Sequence, residues 1–490
     1  MNFTSMLKRL LGQAADHPEV IVERLLCRLD FATWMPQIFA TSLDGTKVAY
    51  GQGVGDGCIV CVNGVTVGGP YDGVANMIFS PDGQRLAFVA GRAGKQFVVS
   101  DGIEGDPYDT IGDMSLKFSP DSTHFAYIGI SSQRHFVISD GIQSKPYESV
   151  GHGMPIFSPD SHRLAFFAKV PQAGTCVVID GVEFPISFES AGGLHFSPNS
   201  QRWAMVRIDH QGHGHLIIDD VDGKPYDGIQ QFTNVFSPDS QRVAYAARCG
   251  STHLMVVDGT EVGNYEGVAA GGAIFSPDSR HIAYMAGIGQ QFVVVVDAVE
   301  GKHYEGIRRG TPIYSSDSQS LAYAATMAGR WFFVIDGKEH QPYDRITAFG
   351  DLYSPDAKRL AYAAQRGDRH IAVIDNVEGR PYDKIMDGTP VFSQDSAHVA
   401  YGAWKGRHWL AVVDQAESNK YDGVALGAKI IQQLLGAGAV VVTDRPYDEL
   451  VVRPTKPVFA SPTFVTYVAG RDDGVYRIEH QLNGTPPVSL

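Results

Sequence analysis

Three histidines stand close together in the segment 208–215, which reads IDHQGHGH. His210, His213 and His215 fall within six residues, and Asp209 is adjacent to the first of them. Imidazole nitrogens are common ligands of transition metals, and the glycines would let the loop curl around an ion. Known zinc motifs space their ligands on defined elements, however, and loops of this composition are often merely exposed. The segment is a candidate metal site, with an exposed loop as the alternative.

A second group of residues could bind a protein partner. Arg or Lys occurs in six short segments, at 91–96, 131–135, 248–253, 327–331, 365–370 and 404–409, and several of these cations stand beside His, Trp or Phe. Arg and Trp are favoured hot-spot residues of interfaces, and recognition is often carried by variable loops on a fixed scaffold. We expect a basic-aromatic binding face, and a solvated rim is the alternative. The candidate residues are Arg92, Lys95, Arg134, Arg248, Arg330, Trp331, Arg366, Arg369, Trp404, Lys405, Arg407 and Trp409.

Charge and composition limit the kind of partner. The 490 residues carry a formal net charge of −14, which argues against general attraction to nucleic acid or to an anionic membrane. Single-stranded nucleic acid would suit basic loops with aromatics, but no run of Lys or Arg accompanies them. No stretch approaches the ~18 apolar residues of a membrane span, and the N-terminus lacks a secretory signal. We therefore expect other proteins as partners, in the cytoplasm, with no nucleic acid and no membrane span.

The five cysteines are few and scattered, at Cys27, Cys58, Cys61, Cys176 and Cys249. This does not predict a disulfide framework. Cys58 and Cys61 form a CxxC within CIVCVNG, which is typical of a strand. Residues i and i+3 of a strand point to opposite faces, so a redox pair or a shared metal is not expected.

Motifs for catalysis or for a bound cofactor are missing. The sequence contains no G-x-S-x-G elbow, no Walker loop, no G-x-G-x-x-G opening a helix and no HExxH. We therefore predict no cofactor. An enzyme on this chain would have to build its site at the central opening of the array described next.

The elements that must position these residues come from a repeat. An aromatic followed by a turn and an apolar strand recurs ten times, as in FSPDGQRLAF from Phe79. The repeats begin at Phe39, Phe79, Phe118, Phe157, Phe196, Phe236, Phe275, Tyr314, Tyr353 and Phe392, in steps of 39 or 40 residues. A fixed period of this length is typical of a repeat array. Its recurrent Ser-Pro-Asp turns and its tyrosines before an acidic residue are therefore expected to hold turns and to pack between units.

One unit, 311–346, illustrates the predicted strands. Its segments 312–315, 321–325, 331–335 and 342–346 are strand-like, and Asp336-Gly337 is a strong hairpin signal. Four strands in about 40 residues match a β-propeller blade. The predicted fold class is therefore all-β, a propeller built from ~39-residue four-stranded repeats.

FSPDGQRLAF and its copies resemble the repeat of TolB-type propellers, relatives of the WD-repeat class. The resemblance covers about residues 39–424 and returns weakly at 459–478. It implies a propeller but says little about function, because that broad group includes protein-interaction platforms, regulatory domains of peptidases and some polysaccharide-active enzymes. The present unit departs from the usual one by ending in PYDxI.

The sequence divides into three parts. Residues 39–424 hold the ten clear units, and 425–490 hold a predicted helix at 425–438 followed by one or two degenerate units. Propellers usually have 4–8 blades, so two successive propellers and one large ring are equal alternatives. The irregular unit at 183–215, where VEFPISFES replaces the Tyr-acidic segment, is the candidate seam between two rings.

Residues 1–38 precede the array. Asp16, Pro18 and Glu19 match the start of a helix, and Ile21, Leu25 and Leu29 would line one of its faces. We predict an N-terminal helix that packs on the propeller, with a docking or self-association element as the alternative. Segment 31–38 is the candidate strand that closes the last blade.

Three functions remain open from the sequence. The first is a non-catalytic scaffold that holds proteins, within a larger complex, on the loop residues named above. The second is a metal-assisted propeller enzyme that acts on a glycan or another anionic small molecule near His210. The third is a structural subunit whose edges or terminal segments build a larger assembly.

Overall fold

The computed structural model describes residues 21–151, 154–172, 174–186, 190–230, 235–406, 408–417, 441–442, 451–452, 458–461, 464–471 and 474–481. Every regular element in these ranges is a β-strand, which confirms the all-β prediction. The helix predicted at 425–438 lies outside the described residues. In the part of the chain that is described, no helix is long and apolar enough to cross a bilayer.

Strands of one repeat form one antiparallel sheet in chain order. In sheets 3, 4, 6, 8 and 10 the first strand is split into two segments that pair with the same second strand. After β1 (Ile21–Arg28), sheets 1 to 3 contain β2 (Trp34–Thr41), β3 (Val48–Val54), β4 (Gly57–Val62) and β5 (Val65–Tyr71); β6 (Gly73–Phe79), β7 (Leu86–Arg92), β8 (Lys95–Ser100) and β9 (Ile103–Glu104); and β10 (Thr110–Ile111), β11 (Lys117–Phe118), β12 (Phe125–Ser131), β13 (Arg134–Ser139) and β14 (Ile142–Gln143).

The next four sheets follow the same order. Sheets 4 and 5 contain β15 (Ser149–Val150), β16 (Ile156–Phe157), β17 (Leu164–Val170), β18 (Gly174–Ile179) and β19 (Val182–Pro185); and β20 (Ser190–Phe196), β21 (Trp203–Ile208), β22 (Gly214–Ile218) and β23 (Val221–Asp222). Sheets 6 and 7 contain β24 (Gly228–Ile229), β25 (Val235–Phe236), β26 (Val243–Cys249), β27 (Thr252–Val257) and β28 (Thr260–Tyr265); and β29 (Gly267–Phe275), β30 (Ile282–Ile288), β31 (Gln291–Val296) and β32 (Val299–Tyr304).

The last strands complete the array. Sheets 8 to 10 contain β33 (Gly306–Ile307), β34 (Ile313–Tyr314), β35 (Leu321–Met327), β36 (Arg330–Ile335) and β37 (Lys338–Glu339); β38 (Arg345–Ala348), β39 (Ala361–Arg366), β40 (Arg369–Ile374) and β41 (Val377–Tyr382); and β42 (Lys384–Ile385), β43 (Val391–Phe392), β44 (Val399–Lys405), β45 (His408–Val413) and β46 (Ala416–Glu417). A two-stranded sheet of β47 (Val441–Val442) and β48 (Val451–Val452) precedes β49 (Val458–Ser461), β50 (Phe464–Arg471) and β51 (Gly474–Gln481).

The N-terminal segment is a strand where the sequence predicted a helix. β1 pairs antiparallel with β51, from Ile21 opposite His480 to Arg28 opposite Gly474, and so becomes the fourth strand of the C-terminal sheet. The helix prediction over 21–28 is wrong because a ladder to the far end of the chain satisfies the backbone groups of this segment. The predicted helix start before residue 21 lies outside the described residues.

The closing strand is β1, and the segment 31–38 has another place. Trp34 begins β2, the first strand of sheet 1, which pairs with β3. A hydrophobic cluster joins Val475 of the C-terminal sheet to Cys27, Trp34 and Val48. The two ends of the described chain therefore meet through both hydrogen bonds and apolar packing.

The apolar core lies between neighbouring sheets. Each pair of successive sheets from 1 to 10 shares a cluster of buried side chains. Sheets 4 and 5, the candidate seam, share Ile179, Leu194 and Trp203 in the same way as the others. A cluster of buried apolar side chains therefore also joins the two sheets at the candidate seam.

The Ser-Pro-Asp turn holds its own bend and also joins neighbouring sheets. In sheet 6, Ser237 Oγ donates a 2.5 Å hydrogen bond to Asp239 Oδ1, which also accepts the backbone N–H of Gln241. The backbone N–H of Asp239 then donates to Ser279 Oγ in sheet 7, at 3.0 Å. The same serine bridge occurs between six other pairs of sheets. The repeated Asp and Ser residues are structural, as the sequence predicted.

Candidate interaction surface

The predicted binding residues that the structure describes lie in or beside the hairpins between second and third strands, but most of their charges are paired. Six of the cations contact carboxylates, three of them on the fourth strand of the same sheet and three in the link to the next sheet. The pairs are Arg92–Glu104 at 2.8 Å, Lys95–Asp109 at 2.5 Å, Arg330–Asp344 at 2.6 Å, Arg366–Glu378 at 2.6 Å, Arg369–Asp383, and Lys405–Glu417 at 2.9 Å. The hairpin face therefore has locally matched charge, and the expectation of a basic face is not met.

The remaining cations have three different situations. Arg248 donates to the backbone oxygens of Asp227, at 2.6 Å, and Gly250, at 3.1 Å. Arg134 begins β13 with an exposed side chain, and no described residue forms a hydrogen bond or ion pair with it. Arg407 lies outside the described residues. Arg134 is thus the hairpin cation that a partner could engage without displacing an ion pair.

The hairpin aromatics serve packing. Trp409 is buried, and its ring lies 5.3 Å from that of Trp404 at a 62° angle. Trp331 is partly buried against the cluster shared by sheets 8 and 9. A side chain that is already buried in its own fold offers little new area to a partner. These three residues are therefore weaker candidates for contact than the sequence suggested.

The histidine loop is organised around Asp209. Its Oδ2 lies 3.0 Å from His215 Nε2 and 3.6 Å from His213 Nδ1, and its Oδ1 accepts the backbone N–H of His213. The hydrogen bond with His215, followed by that backbone bond, holds the pKa of the Asp209 carboxyl well below its usual range. His215 Nδ1 lies 3.2 Å from the backbone oxygen of Gly223, so both of its ring nitrogens are engaged.

This arrangement does not form a metal site. A metal would need three or more ligands converging on one point. Over the described ranges, no group of three or more His, Cys, Asp or Glu side chains is placed to hold an ion. The prediction that His210, His213 and His215 bind a metal is therefore not supported by the geometry, and the loop is held by hydrogen bonds to Asp209.

An exposed row of apolar residues was missed in the sequence. The fourth strands of sheets 1 to 5 each begin with a Val or Ile that is 57 to 76% exposed. These residues, which we call the apolar rim, are Val65, Ile103, Ile142, Val182 and Val221. The sequence does show a β-branched residue after each two-residue turn of these sheets. A β-branched residue in a strand is ordinarily interpreted as buried, so its exposure was not expected. Sheets 6 and 8 have Thr260 and Lys338 at this position, so the row is uninterrupted only in sheets 1 to 5.

A tyrosine from the fourth segment of one sheet packs into the next sheet. This holds for eight of the nine interfaces between sheets 1 and 10, at Tyr71, Tyr108, Tyr147, Tyr226, Tyr265, Tyr304, Tyr343 and Tyr382. Burial raises the pKa of Tyr147, Tyr343 and Tyr382 to about 12. The exception is the interface between sheets 4 and 5, which contains a cavity.

That cavity has a volume of about 180 Å³ and is partly open to solvent. Ile186, Met205, Arg207, Ile217 and Asp222 are among its lining residues. Arg207 holds Asp222 in a bidentate pair, at 2.9 and 2.6 Å, and this pair lowers the pKa of the Asp222 carboxyl. The irregular unit in the sequence thus marks a cavity in an otherwise continuous array.

Comparison with known proteins gives fold-level similarity. No family model matches the chain, and no curated protein matches it. A crystal structure of a eukaryotic initiation factor is 10% identical with a TM-score of 0.40, covering 71% of this chain and 95% of its own. TolB from Acinetobacter baumannii is 15% identical with a TM-score of 0.25, covering 59% and 80%. The Dos1 propeller is 11% identical with a TM-score of 0.32, covering 61% and 90%. At these values the similarity identifies neither a family nor a function.

Proposed function

We propose that this protein is a non-catalytic β-propeller scaffold that holds partner proteins on the apolar rim. The observation that carries the proposal is the exposure of five Val and Ile side chains in five consecutive sheets. Exposed edge strands are usually protected by charge, and Lys338 shows that form in sheet 8. A row that keeps apolar residues at the same position in sheet after sheet is typical of an interaction surface.

Burial of the apolar rim would offset a large part of the cost of association. Covering one such side chain contributes about 1–2 kcal/mol, so five contribute on the order of 5–10 kcal/mol. Association costs an estimated ~4–15 kcal/mol, so additional polar contacts are needed for tight binding. In the proposal, the hairpin residues predicted from the sequence supply secondary contacts that set register and specificity, with Arg134 first among them.

The other parts of the proposal rest on the sequence. Residues 39–424 are the interaction module, and 425–490 complete it. The cytoplasm is the proposed location, because the few scattered cysteines suit a reducing compartment. Four of the five are buried, and burial raises the pKa of the Cys176 thiol to about 11, which keeps it inert.

A pair of matched variants tests the surface. Ile103→Asp with Ile142→Asp places two charges in the apolar rim, while Val299→Asp with Val377→Asp places them at equivalent positions of sheets 7 and 9. Partners captured from the protein's own cells should fall at least tenfold for the first pair and stay unchanged for the second. Unfolding temperature (Tm) confirms that both variants fold. Equal capture by both variants would reject the apolar rim as the surface.

The hairpin face is tested separately. The double variant Arg134→Glu, Arg330→Glu reverses two charges of the hairpin face. It should reduce capture less than the rim variant does, because Arg330 is already paired with Asp344 and only Arg134 is available to a partner protein. Loss of capture in this variant alone would move the interaction surface to the hairpins. The metal-assisted enzyme has no observation in its favour, since the histidine loop holds Asp209 and offers no set of three ligands.

A further inference from the structure

Two other interfaces of the array show an arginine–carboxylate pair beside a tyrosine ring. In sheet 2, Arg92 is paired with Glu104, and its guanidinium lies 5.4 Å from the ring centre of Tyr71, which comes from sheet 1. In sheet 9, Arg366 is paired with Glu378 and lies 5.3 Å from the ring centre of Tyr343 from sheet 8. An arginine–carboxylate pair of one sheet therefore flanks a tyrosine ring of the preceding sheet.

The residue at the position of this carboxylate also accepts a hydrogen bond from the tyrosine hydroxyl of the preceding sheet. Tyr226 donates to Glu261 Oε1 at 3.1 Å, and Tyr382 donates to Glu417 Oε1 at 3.1 Å. Tyr108 donates to an amide at the same register, Gln143 Oε1, at 2.7 Å. A hydrogen bond from a phenol to a carboxylate is among the stronger ones, because the acceptor carries charge.

Sheet 5 also has an arginine–carboxylate pair, but its Arg207 stands 11 residues after Phe196, whereas Arg92 stands 13 residues after Phe79, and no described tyrosine lies beside the pair. Asp222 stands 39 residues before Glu261 and forms the bidentate pair with Arg207. On the other side, Ile186 replaces the tyrosine, since its backbone N–H makes the bond to the third strand that the tyrosine makes elsewhere. Met205 replaces the aromatic that the second strand carries in the other sheets, such as Phe166 in sheet 4 and Tyr245 in sheet 6. Two large rings that the other interfaces have are thus missing from the described part of this interface.

We propose that the cavity between sheets 4 and 5 is a socket for the tyrosine side chain of a partner protein. The ring would lie against Met205 and Ile217 under the Arg207 guanidinium, and its hydroxyl would donate to the Asp222 carboxylate. A volume of about 180 Å³ suits one aromatic ring, since engineered apolar cavities of ~150 Å³ bind benzene. Two other arginine–carboxylate pairs, Arg92–Glu104 and Arg366–Glu378, each lie beside a tyrosine ring in this chain, although their arginines stand two residues later in the repeat than Arg207.

The position of the socket favours a protein as the source of the phenol. Pro185 and Asp222, which line it, lie on the same fourth strands as Val182 and Val221 of the apolar rim. A partner lying along the rim would therefore pass the mouth of the socket. The identity of the partner rests on the proposed function, whereas the affinity of the socket for a phenol ring does not.

The first test measures that affinity directly on the full-length protein. N-acetyl-L-tyrosinamide is titrated and followed by isothermal calorimetry and by ligand-observed NMR, with N-acetyl-L-phenylalaninamide as the matched probe without the hydroxyl. We expect saturable binding of the tyrosine amide with a Kd on the order of 1 mM or tighter. The phenylalanine amide should bind at least about tenfold more weakly, because it has no hydroxyl that could donate a hydrogen bond to Asp222. No saturable binding of the tyrosine amide up to about 10 mM, or equal binding of both probes, would overturn the proposal.

Two filling variants locate the binding. Ile186→Tyr restores the missing ring from within the chain, and Met205→Phe fills the opposite wall. Either variant should abolish probe binding, and Ile186→Tyr should also raise Tm. Val377→Tyr adds a ring on an exposed fourth strand away from the cavity and should leave binding unchanged. Probe binding that survives in both folded filling variants would overturn the assignment to this cavity.

One variant tests the chain itself as the occupant. Phe188 stands two residues after Ile186 in the sequence and lies outside the described residues. If the Phe188→Ala variant binds the tyrosine amide at least tenfold more tightly than the wild-type chain, the socket is filled by the chain itself and the partner assignment is overturned. Equal binding by both supports an external tyrosine. Partner capture by the Ile186→Tyr variant separates the socket proposal from the scaffold proposal. Loss of capture supports the socket. Capture that is retained and still depends on Ile103 rejects the socket as the contact with the partner and leaves the scaffold function in place.

Discussion

The guanidinium of Arg242 lies 5.1 Å from the ring centre of Phe275, which belongs to the next sheet of the array. In its own sheet Arg242 Nε donates to Asp258 at 2.9 Å, and its Nη1 donates to the backbone oxygens of Ser279 and Arg280 across the interface. Equivalent arginines in sheets 2, 4, 5 and 9 make the same stacking contact. In these five sheets the arginine that stands six residues after the opening aromatic of the repeat therefore acts as a clasp that joins neighbouring sheets.

Loss of this clasp should destabilise the array. Arg242→Ala removes one ion pair, two hydrogen bonds to backbone and one cation–π contact, so we expect the free energy of unfolding to fall by about 1–3 kcal/mol. Chemical denaturation measures it. Lys358→Ala is the control, since the Lys358 side chain is 81% exposed, and it should change stability by less than about 0.5 kcal/mol. Equal effects of the two variants would refute the clasp.

Sheet 8 lacks the clasp and offers the reverse experiment. Ser320 stands at the arginine position and donates to Asp336 at 2.9 Å, and the next sheet presents Tyr353 where others have Phe. Ser320→Arg should regain the ion pair to Asp336 and the contact with the ring, and so raise Tm. Ser320→Lys is the matched variant, because it adds a charge without a planar fork and should gain less. A lower Tm for Ser320→Arg would contradict the interpretation.

The turn aspartates should control stability in acid. Hydrogen bonds from serine hydroxyls and then from backbone N–H groups lower the pKa of Asp239, Asp278 and Asp317 in the folded state. A lowered folded pKa gives stability that is complete above the unfolded value near 3.8 and is lost as pH falls below it. Tm should therefore be flat near neutral pH and fall steeply below about pH 4.

Asparagine in place of the turn aspartate tests this mechanism, and sheet 5 already has an asparagine at that position. Asn199 accepts the same hydrogen bonds, from Ser197 Oγ at 2.8 Å and from the backbone N–H of Gln201. The triple variant Asp239→Asn, Asp278→Asn, Asp317→Asn should keep Tm near pH 7 and lose less of it between pH 4 and pH 2.5 than the wild-type chain. An unchanged slope would show that other groups control acid unfolding.

Removal of β1 should open the array. A chain that begins at residue 29 lacks the strand that pairs with β51, whereas a chain that begins at residue 21 keeps it. We expect the shorter chain to have a lower Tm and faster amide exchange in β50 and β51, because their sheet loses its fourth strand. The chain from residue 21 is the control. Equal exchange in β51 for both chains would contradict the closure by β1.

The repeat made the blades predictable, but not the partner of the N-terminal segment. Ile21 and Leu25 stand at i and i+4 and therefore match a helix face. The same residues fit β1 because β51, which begins at Gly474, 453 residues after Ile21, is available for pairing. Local spacing cannot show a ladder between the two ends of a chain. Tertiary pairing therefore decided this element against its local pattern.

The candidate site was predictable only in part. Lys95 meets Asp109 only after the fourth segment folds back beside it, so the neutralisation of this hairpin cation was not visible in the spacing. Ile186 was noticed as a departure from the repeat, but its consequence depends on Met205, which stands on another sheet. A cavity is a property of two elements together, and the sequence presents them one at a time.

Protection of the fourth strands in a complex tests the central claim most directly. The full-length protein is isolated with its partner from its own cells, and hydrogen exchange is compared with and without that partner. The account predicts slower exchange at 65–71, 103–104, 142–143, 182–185 and 221–222, and unchanged exchange at the equivalent strand of sheet 8. Protection confined to the hairpins between second and third strands, or equal protection in all sheets, would contradict an apolar rim that holds partners.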